Sequence, residues 1–331
     1  MDGIALTRLS RTFDILLESL RDYSLDERGD VGSWVRREAM HSIERLVQGL
    51  ASRGSSHTAL FTRRRANSML GLVVKQAVEQ IDSVRSVAVQ CLATLLQDQH
   101  CAMIGFGAGV RGIRQEILGG AQASDSAVAA TQTRHEGYES FPAMARWLEF
   151  EPIRVEVLQG FALSIGSATH SISQQASSAL CRWLLERGSV SDALGRGFLL
   201  DLLHLCADDT QLLGHARVHV GLLRTLVLIL TDASSSDLVV PRLFPNRERW
   251  LSTCAVAVKA SRCSSDIPRL MASIDLSSAI LIRQPNARDV MEMLAPAIHS
   301  LLCHSFPLVR RAWAVRVGSV ASTHPTPIAD T

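Results

Sequence analysis

One short stretch constrains this chain more than any other. From Val84 to Leu95 the apolar residues stand at Val84, Val87, Ala88, Cys91, Leu92 and Leu95. Steps of three and four draw one continuous stripe along a helix, whereas a half-buried strand would alternate every second residue. The stripe opens on Asp82-Ser83-Val84-Arg85. Asp82 is placed to accept orphan N–H groups of the first turn and to meet the positive end of the helix dipole. Openings of the same kind recur. Ser33-Trp34-Val35-Arg36 leads into Ala39, Ile43, Leu46 and Leu50, and Glu151-Pro152-Ile153-Arg154 leads into Val157, Leu158, Phe161 and Ile165. Phe306-Pro307-Leu308-Val309-Arg310 leads into Ala312, Trp313, Val317 and Val320. A cap or proline, an aliphatic–arginine pair and then an apolar stripe describe the second helix of a HEAT-type repeat. Proline near a helix start costs nothing, because its missing N–H has no partner there anyway.

The expected fold is therefore all-α, a HEAT/armadillo-type α-solenoid of stacked helix pairs. Arg36, Asp82, Arg85, Arg154, Pro307 and Arg310 are its repeat positions. The partner first helices fall at Thr58 to Ile81 and Asp289 to His304. Further helices are expected at Gly3–Arg21, Ser167–Arg187, Val190–Cys206, Gln211–Leu230, Arg249–Ala260 and Ser264–Ile282. The spacing between openings is irregular, so the array is degenerate, and each pair buries its faces only against neighbours. The expected division is residues 1–104 as N-terminal repeats, 105–142 as a flexible Gly/Ala/Ser-rich insertion with one helical turn near Ile113–Leu118, and 143–320 as further repeats. A shorter loop is expected at Ala233–Asn246, and residues 321–331 form a disordered Pro/Thr tail.

Composition narrows the class. Apolar residues make up 47% and charged residues 20%, as in an ordered soluble protein, and the net charge of +2 supplies no field to steer toward nucleic acid or a membrane. Of the 34 basic residues only Lys75 and Lys259 are lysines. The seven cysteines include no C-x-x-C pair and sit mostly in apolar helical contexts, a reducing-compartment pattern. The start of the chain lacks the charged-then-apolar order of a signal sequence, and the apolar run Val218–Leu230 is broken by His219 and Arg224. A cytoplasmic protein is expected.

The chemistry-bearing motifs have plainer readings. Gly105-Phe106-Gly107-Ala108-Gly109 imitates a phosphate loop but follows no strand and precedes no lysine, so a flexible loop is the expectation. His100-Cys101 and Cys303-His304 lack a second pair to complete a tetrahedral site. Arg63-Arg64-Arg65 reads as the solvated face of a helix whose buried stripe is Ala66, Met69, Leu70 and Val73. Arg28-Gly29-Asp30 is a chance tripeptide here. No nucleophile–base constellation can be assembled, so no catalytic residue, metal or cofactor is expected.

The segment from Asp22 to Arg37 is the exception. It sets charges of both signs, glycines and two aromatics between two amphipathic helices. One reading is an inter-helix turn, with Ser33 as N-cap and Arg36 bonding an acidic residue of a neighbouring repeat. The other is a partner-contacting loop using Asp26, Glu27, Arg28, Asp30 and Trp34. The two are compatible.

Asp22-Tyr23 followed by Glu27-Arg28-Gly29-Asp30-Val31-Gly32-Ser33-Trp34-Val35-Arg36 resembles the start of the C-terminal domain of the tubulin-folding cofactor D family. Glu79-Gln80-Ile81-Asp82-Ser83-Val84-Arg85, then Leu222-Leu223-Arg224-Thr225-Leu226, then Leu301 to Arg310 agree in the same order, with Ser265-Asp266-Ile267 between the last two. The resemblance implies a tubulin-folding chaperone scaffold without a reaction of its own. Its implied partners are β-tubulin, tubulin-folding cofactors C and E, and an Arf-like small GTPase. It also implies association with the microtubule cytoskeleton and promotion of GTP hydrolysis by tubulin within a cofactor complex. Family members are several times longer and begin with a large solenoid, so the chain is expected to be a fragment, a partial gene model or a degenerate copy. A generic HEAT-repeat adaptor is the alternative.

Overall fold

The computed structural model describes residues 3–52, 60–119, 141–188, 191–207, 216–232, 235, 240–243, 247–261, 265–283 and 288–323. Apart from a two-residue hairpin, its regular elements are helical, as the periodicity requires. Two compact units divide the chain, Met1–Ser164 and Ile165–Thr331. That division falls inside the segment expected as one run of repeats from 143 to 320.

In the first unit, α1 (Gly3–Ser19) is followed by the hairpin strands β1 (Leu25–Asp26) and β2 (Gly29–Asp30) and then by α2 (Gly32–Ala51). After them come α3 (Arg63–Ala77), α4 (Asp82–Leu95), α5 (Asp98–Ile104), α6 (Ala108–Gly119), α7 (Phe141–Ala145) and α8 (Arg154–Ile165). α1 pairs with α2 and α3 with α4, while α1 also lies on α3 and α2 on α4. Two stacked helix pairs result, the elementary step of a solenoid. Their shared core holds Phe13, Met40, Ile43, Met69, Leu70, Val84 and Leu92, all fully or almost fully buried. α3 and α8 approach closely because Gly160 leaves room: a Cβ there would stand 2.5 Å from the carbonyl oxygen of Lys75. Ser164 Oγ donates to the carbonyl of Val78 at 2.6 Å across the same contact.

The second unit continues with α9 (His170–Trp183), α10 (Asp192–Ala207), α11 (Ala216–Thr231), α12 (Val240–Leu243), α13 (Arg247–Ser261), α14 (Ile267–Arg283), α15 (Arg288–Leu302) and α16 (Pro307–Thr323). α13 packs on α14 and α15 on α16, while α13 also meets α15, and α14 meets both α11 and α16. Each of these helices thus touches a hairpin partner and its equivalent in the next pair. Trp183 and Phe198 meet edge-to-face at 5.1 Å, and Trp250 and Trp313 are buried whole.

Several expectations need correction. Residues 105–119 are not a flexible loop. Gly105 ends α5 in the left-handed conformation, φ +78°, and its N–H returns to the carbonyl of Cys101. α6 then starts at Ala108 and buries Val110 and Ile113, so it is a full helix rather than a single turn. Residues 120–140 of the expected insertion lie outside the described residues. Glu151-Pro152-Ile153 forms a 3-10 turn, and the α-helix begins at Arg154, which is buried. α16 starts on Pro307 as expected but runs to Thr323, into the expected tail, whose residues 324–331 lie outside the described ones. Of the loop expected at Ala233–Asn246, the described part includes the helical turn α12.

Asp82 does not cap α4. Its carboxylate takes an ion pair from Arg85 Nη2, while Glu79 Oε2 accepts from the N–H of Ile81 at 3.0 Å. Arg85 also donates Nη1 to the carbonyl of Glu79 at 2.7 Å. The same contact recurs at several points: Arg36 to Asp22, Arg111 to Phe106, Arg224 to Gly166, Arg283 to Leu230, and Arg310 to His304 and Ser305, each a guanidinium on a backbone carbonyl. Losing one such bond at a partly buried position leaves an unpaired acceptor, at about 1–3 kcal/mol. Arg85→Ala is therefore expected to lower the unfolding free energy by that amount, whereas Arg63→Ala, on an exposed face, should stay within about 0.5 kcal/mol. Equal shifts in denaturant midpoint for the two would contradict this account.

Candidate partner-binding site

The segment between α1 and α2 is built around one buried guanidinium. Arg36 stands in the second turn of α2 with no exposed surface, one of the largest fully buried side chains of the chain. Its Nη1 and Nη2 each reach a carboxylate oxygen of Asp30 at 3.2 Å, and Nη1 also donates to the carbonyl of Asp22 at 2.6 Å. Nε donates to Gln76 Oε1 at 3.0 Å, and Nη2 lies 3.8 Å from Glu79 Oε1. The guanidinium carbon sits 4.2 Å from the centre of the Tyr23 ring. A planar fork with five donors can serve these acceptors together; an ammonium could not. Gln76 in turn donates Nε2 to the carbonyl of Leu20 and to the hydroxyl of Tyr23, both at 3.1 Å. The segment is thereby tied to α3 at both ends.

Locally the chain turns where glycine permits it. Gly29 takes φ +107° at the end of the two-residue turn Glu27–Arg28, and Asp26 Oδ1 accepts the N–H of Arg28 at 2.7 Å. Gly32 lies so near Asp22 that a Cβ would stand 2.4 Å from its carbonyl oxygen. Asp30 rather than Ser33 caps α2: its Oδ1 accepts the N–H of Ser33 at 3.0 Å, and the Ser33 hydroxyl donates back to the Asp30 carbonyl at 2.6 Å.

On this frame the expected contact residues separate. Asp30 faces inward, its side chain 7% exposed and paired with Arg36, so it holds the frame. Asp26, Glu27, Arg28 and Trp34 face outward. Arg28 forms an ion pair with Asp26 at 2.6 Å and lies over the Trp34 ring at 5.3 Å. Hydrogen bonds from the Arg28 side chain and backbone hold the Asp26 carboxyl below the usual carboxylate range. Trp34 is 49% exposed, and Leu25, Val35 and Ile15 are exposed as well. A groove of about 420 Å³ runs from Trp34 and Val35 past Glu38 and Ala39 to Leu16 of α1. Sequence reasoning missed Leu25, Val35 and Ile15. The signal was available for Val35, which stands off the stripe that buries Ala39 and Ile43.

The other motifs have local partners. His100 is buried with Nδ1 2.6 Å from the carbonyl of Thr94, and Cys303 lies 3.8 Å from His299. Arg65 pairs with Asp14 at 2.7 Å. Among the described residues no cluster of three His, Cys, Asp or Glu side chains could hold a metal ion, and no helix is long and apolar enough to cross a membrane.

A family model described as the C-terminal part of tubulin folding cofactor D matches residues 67–266. That span contains Lys75, Gln76, Glu79, Asp82, Arg85 and Arg154, and it starts after the Trp34 face. The tubulin-folding cofactor D of Schizosaccharomyces pombe (strain 972 / ATCC 24843) is 33% identical over 78 residues, 23% of this chain and 6% of that protein's length. A crystal structure of an engineered protein aligns with 93% of this chain and 98% of its own at 12% identity, with a TM-score of 0.22.

Proposed function

The chain belongs to the tubulin-folding cofactor D family, and from that premise we propose that it is a tubulin-folding chaperone scaffold that binds β-tubulin during assembly of the αβ heterodimer. The observation that carries this reading is the family match across residues 67–266. In this reading the chain performs no reaction of its own. It acts in the cytoplasm and at the microtubule cytoskeleton with cofactors C and E and an Arf-like small GTPase, and GTP hydrolysis by tubulin is promoted only by the assembled complex. The contact surface is the face of Leu25, Asp26, Glu27, Arg28 and Trp34. An exposed tryptophan pre-set by a stacked arginine and a rigid frame has the make-up of a binding hot spot, because little freedom is lost when a partner closes on it.

Replacing Asp26, Glu27 and Arg28 together by serine, with Trp34→Ala added, leaves Asp30, Gly29, Gly32 and Arg36 in place. Melting should be nearly unchanged, while β-tubulin binding weakens by roughly 2 kcal/mol or more, about thirtyfold. Co-purification of β-tubulin with wild type and variant, beside their melts, checks this. Full recovery by a folded variant would remove the face from the reading. If wild type recovers no tubulin even with the N-terminal half of a cofactor D supplied, the chaperone reading fails and a general HEAT adaptor replaces it.

A further inference from the structure

Lys75 is one of two lysines in the chain, and it stands in the last turn of α3 with 3% exposure. Among the described residues its one hydrogen bond is to Gln159 Oε1, at 2.8 Å, from α8. Its Nζ also lies 4.8 Å from the centre of the Tyr23 ring, the ring that Arg36 covers. The other charged groups facing it are Glu156 on α8, Arg21 at the end of α1, Arg36 on α2 and Glu79 after α3. An ammonium carries three donors and a full charge; here one amide accepts from it, and the carboxylates of Glu156 and Glu79 are offset by the guanidiniums of Arg21 and Arg36, so the buried site suits it poorly. An uncharged amine fits the same space. We propose that Lys75 is a proton-responsive latch on residues 22–36: uncharged, it lets Tyr23 and Arg36 close onto α3, and charged, it loosens the segment that carries Trp34.

Burial pushes the Lys75 ammonium down to about 7; Glu156 opposes this, Arg21 and Arg36 add to it, and Glu79 opposes it again. Once opened to water the side chain returns to its ordinary range, near 10.4. Between these values the open state holds a proton that the closed state lacks. Opening therefore grows up to tenfold for each pH unit of acidification, and levels off below about 7.

Amide hydrogen exchange of the full chain, corrected for the intrinsic pH dependence of exchange, reads this directly. In wild type, protection of residues 22–36 should fall on the order of tenfold from pH 8.5 to 7.0. Lys75→Met, similar in length and unable to titrate, should stay protected at both values. Lys75→Arg, charged throughout, should be poorly protected at both. Wild-type protection independent of pH over this window would overturn the latch, as would a Lys75→Met variant with the wild-type slope. Neither result depends on tubulin, so the latch and the chaperone reading stand or fall separately.

Discussion

Arg36→Ala is expected to lower the unfolding free energy of the first unit by about 3–5 kcal/mol. The substitution removes five polar contacts and a ring contact at once. What remains is costlier than what is lost, because the Asp30 side chain is 7% exposed and that of Glu79 is wholly buried. Two carboxylates would stay in the interior without the cation that balances them, together with the Gln76 amide and the Asp22 carbonyl. Arg36→Lys keeps the charge but cannot span Asp30, Asp22 and Gln76 together, so it should recover only a minor part. Asp26→Ala, which breaks the exposed pair with Arg28, should leave stability nearly unchanged. Urea titrations followed by circular dichroism separate these cases. An Arg36→Ala variant within about 1 kcal/mol of wild type would mean that the buried network does not hold the segment.

Gly160→Ala is expected to cost about 1–3 kcal/mol, although alanine is the better helix former. A Cβ at 160 would stand 2.5 Å from both the Lys75 carbonyl oxygen and a methyl of Val78. The first of these is helix backbone, which cannot swing aside as a long side chain could. α3 and α8 would have to separate, stretching the Lys75–Gln159 and Ser164–Val78 bonds. Gly49→Ala serves as the control, since a Cβ there would meet nothing within 4 Å and the residue sits inside α2. That control should be neutral or stabilising by up to about 1 kcal/mol. Thermal melts of the two variants should therefore move in opposite directions. A shared direction would mean that the α3–α8 contact yields easily.

The helices were legible because the apolar steps of three and four are a direct print of helical geometry. The placement of charge was not. Asp30 and Asp26 look alike in a charge-rich segment, and what sets them apart is Arg36, which pairs with Asp30 and also meets Gln76 and Glu79 from far along the chain. Ser33 and Asp30 are both good caps, and only the path forced by Gly32 against Asp22 decides between them. Residues 105–119 misled because glycine hides periodicity, yet Phe106, Val110 and Ile113 stand at i, i+4 and i+7 and are all buried. The burial of Lys75 left no local mark, since Gln159 and Tyr23 are both distant in sequence.

The arginine-to-carbonyl bonds bear on how such a chain can drift. Every residue owns a backbone carbonyl whatever its side chain, so the acceptor at Phe106, Gly166, Leu230 or His304 survives substitution of that residue. Heritable information for each clasp resides in one codon instead of two, and no compensating change elsewhere can restore a lost arginine. Turns secured in this way are free to vary in length and wording while their helices remain in step. Across relatives the trace of such a clasp would be a solitary arginine with no covarying partner, invisible to any search for paired substitutions.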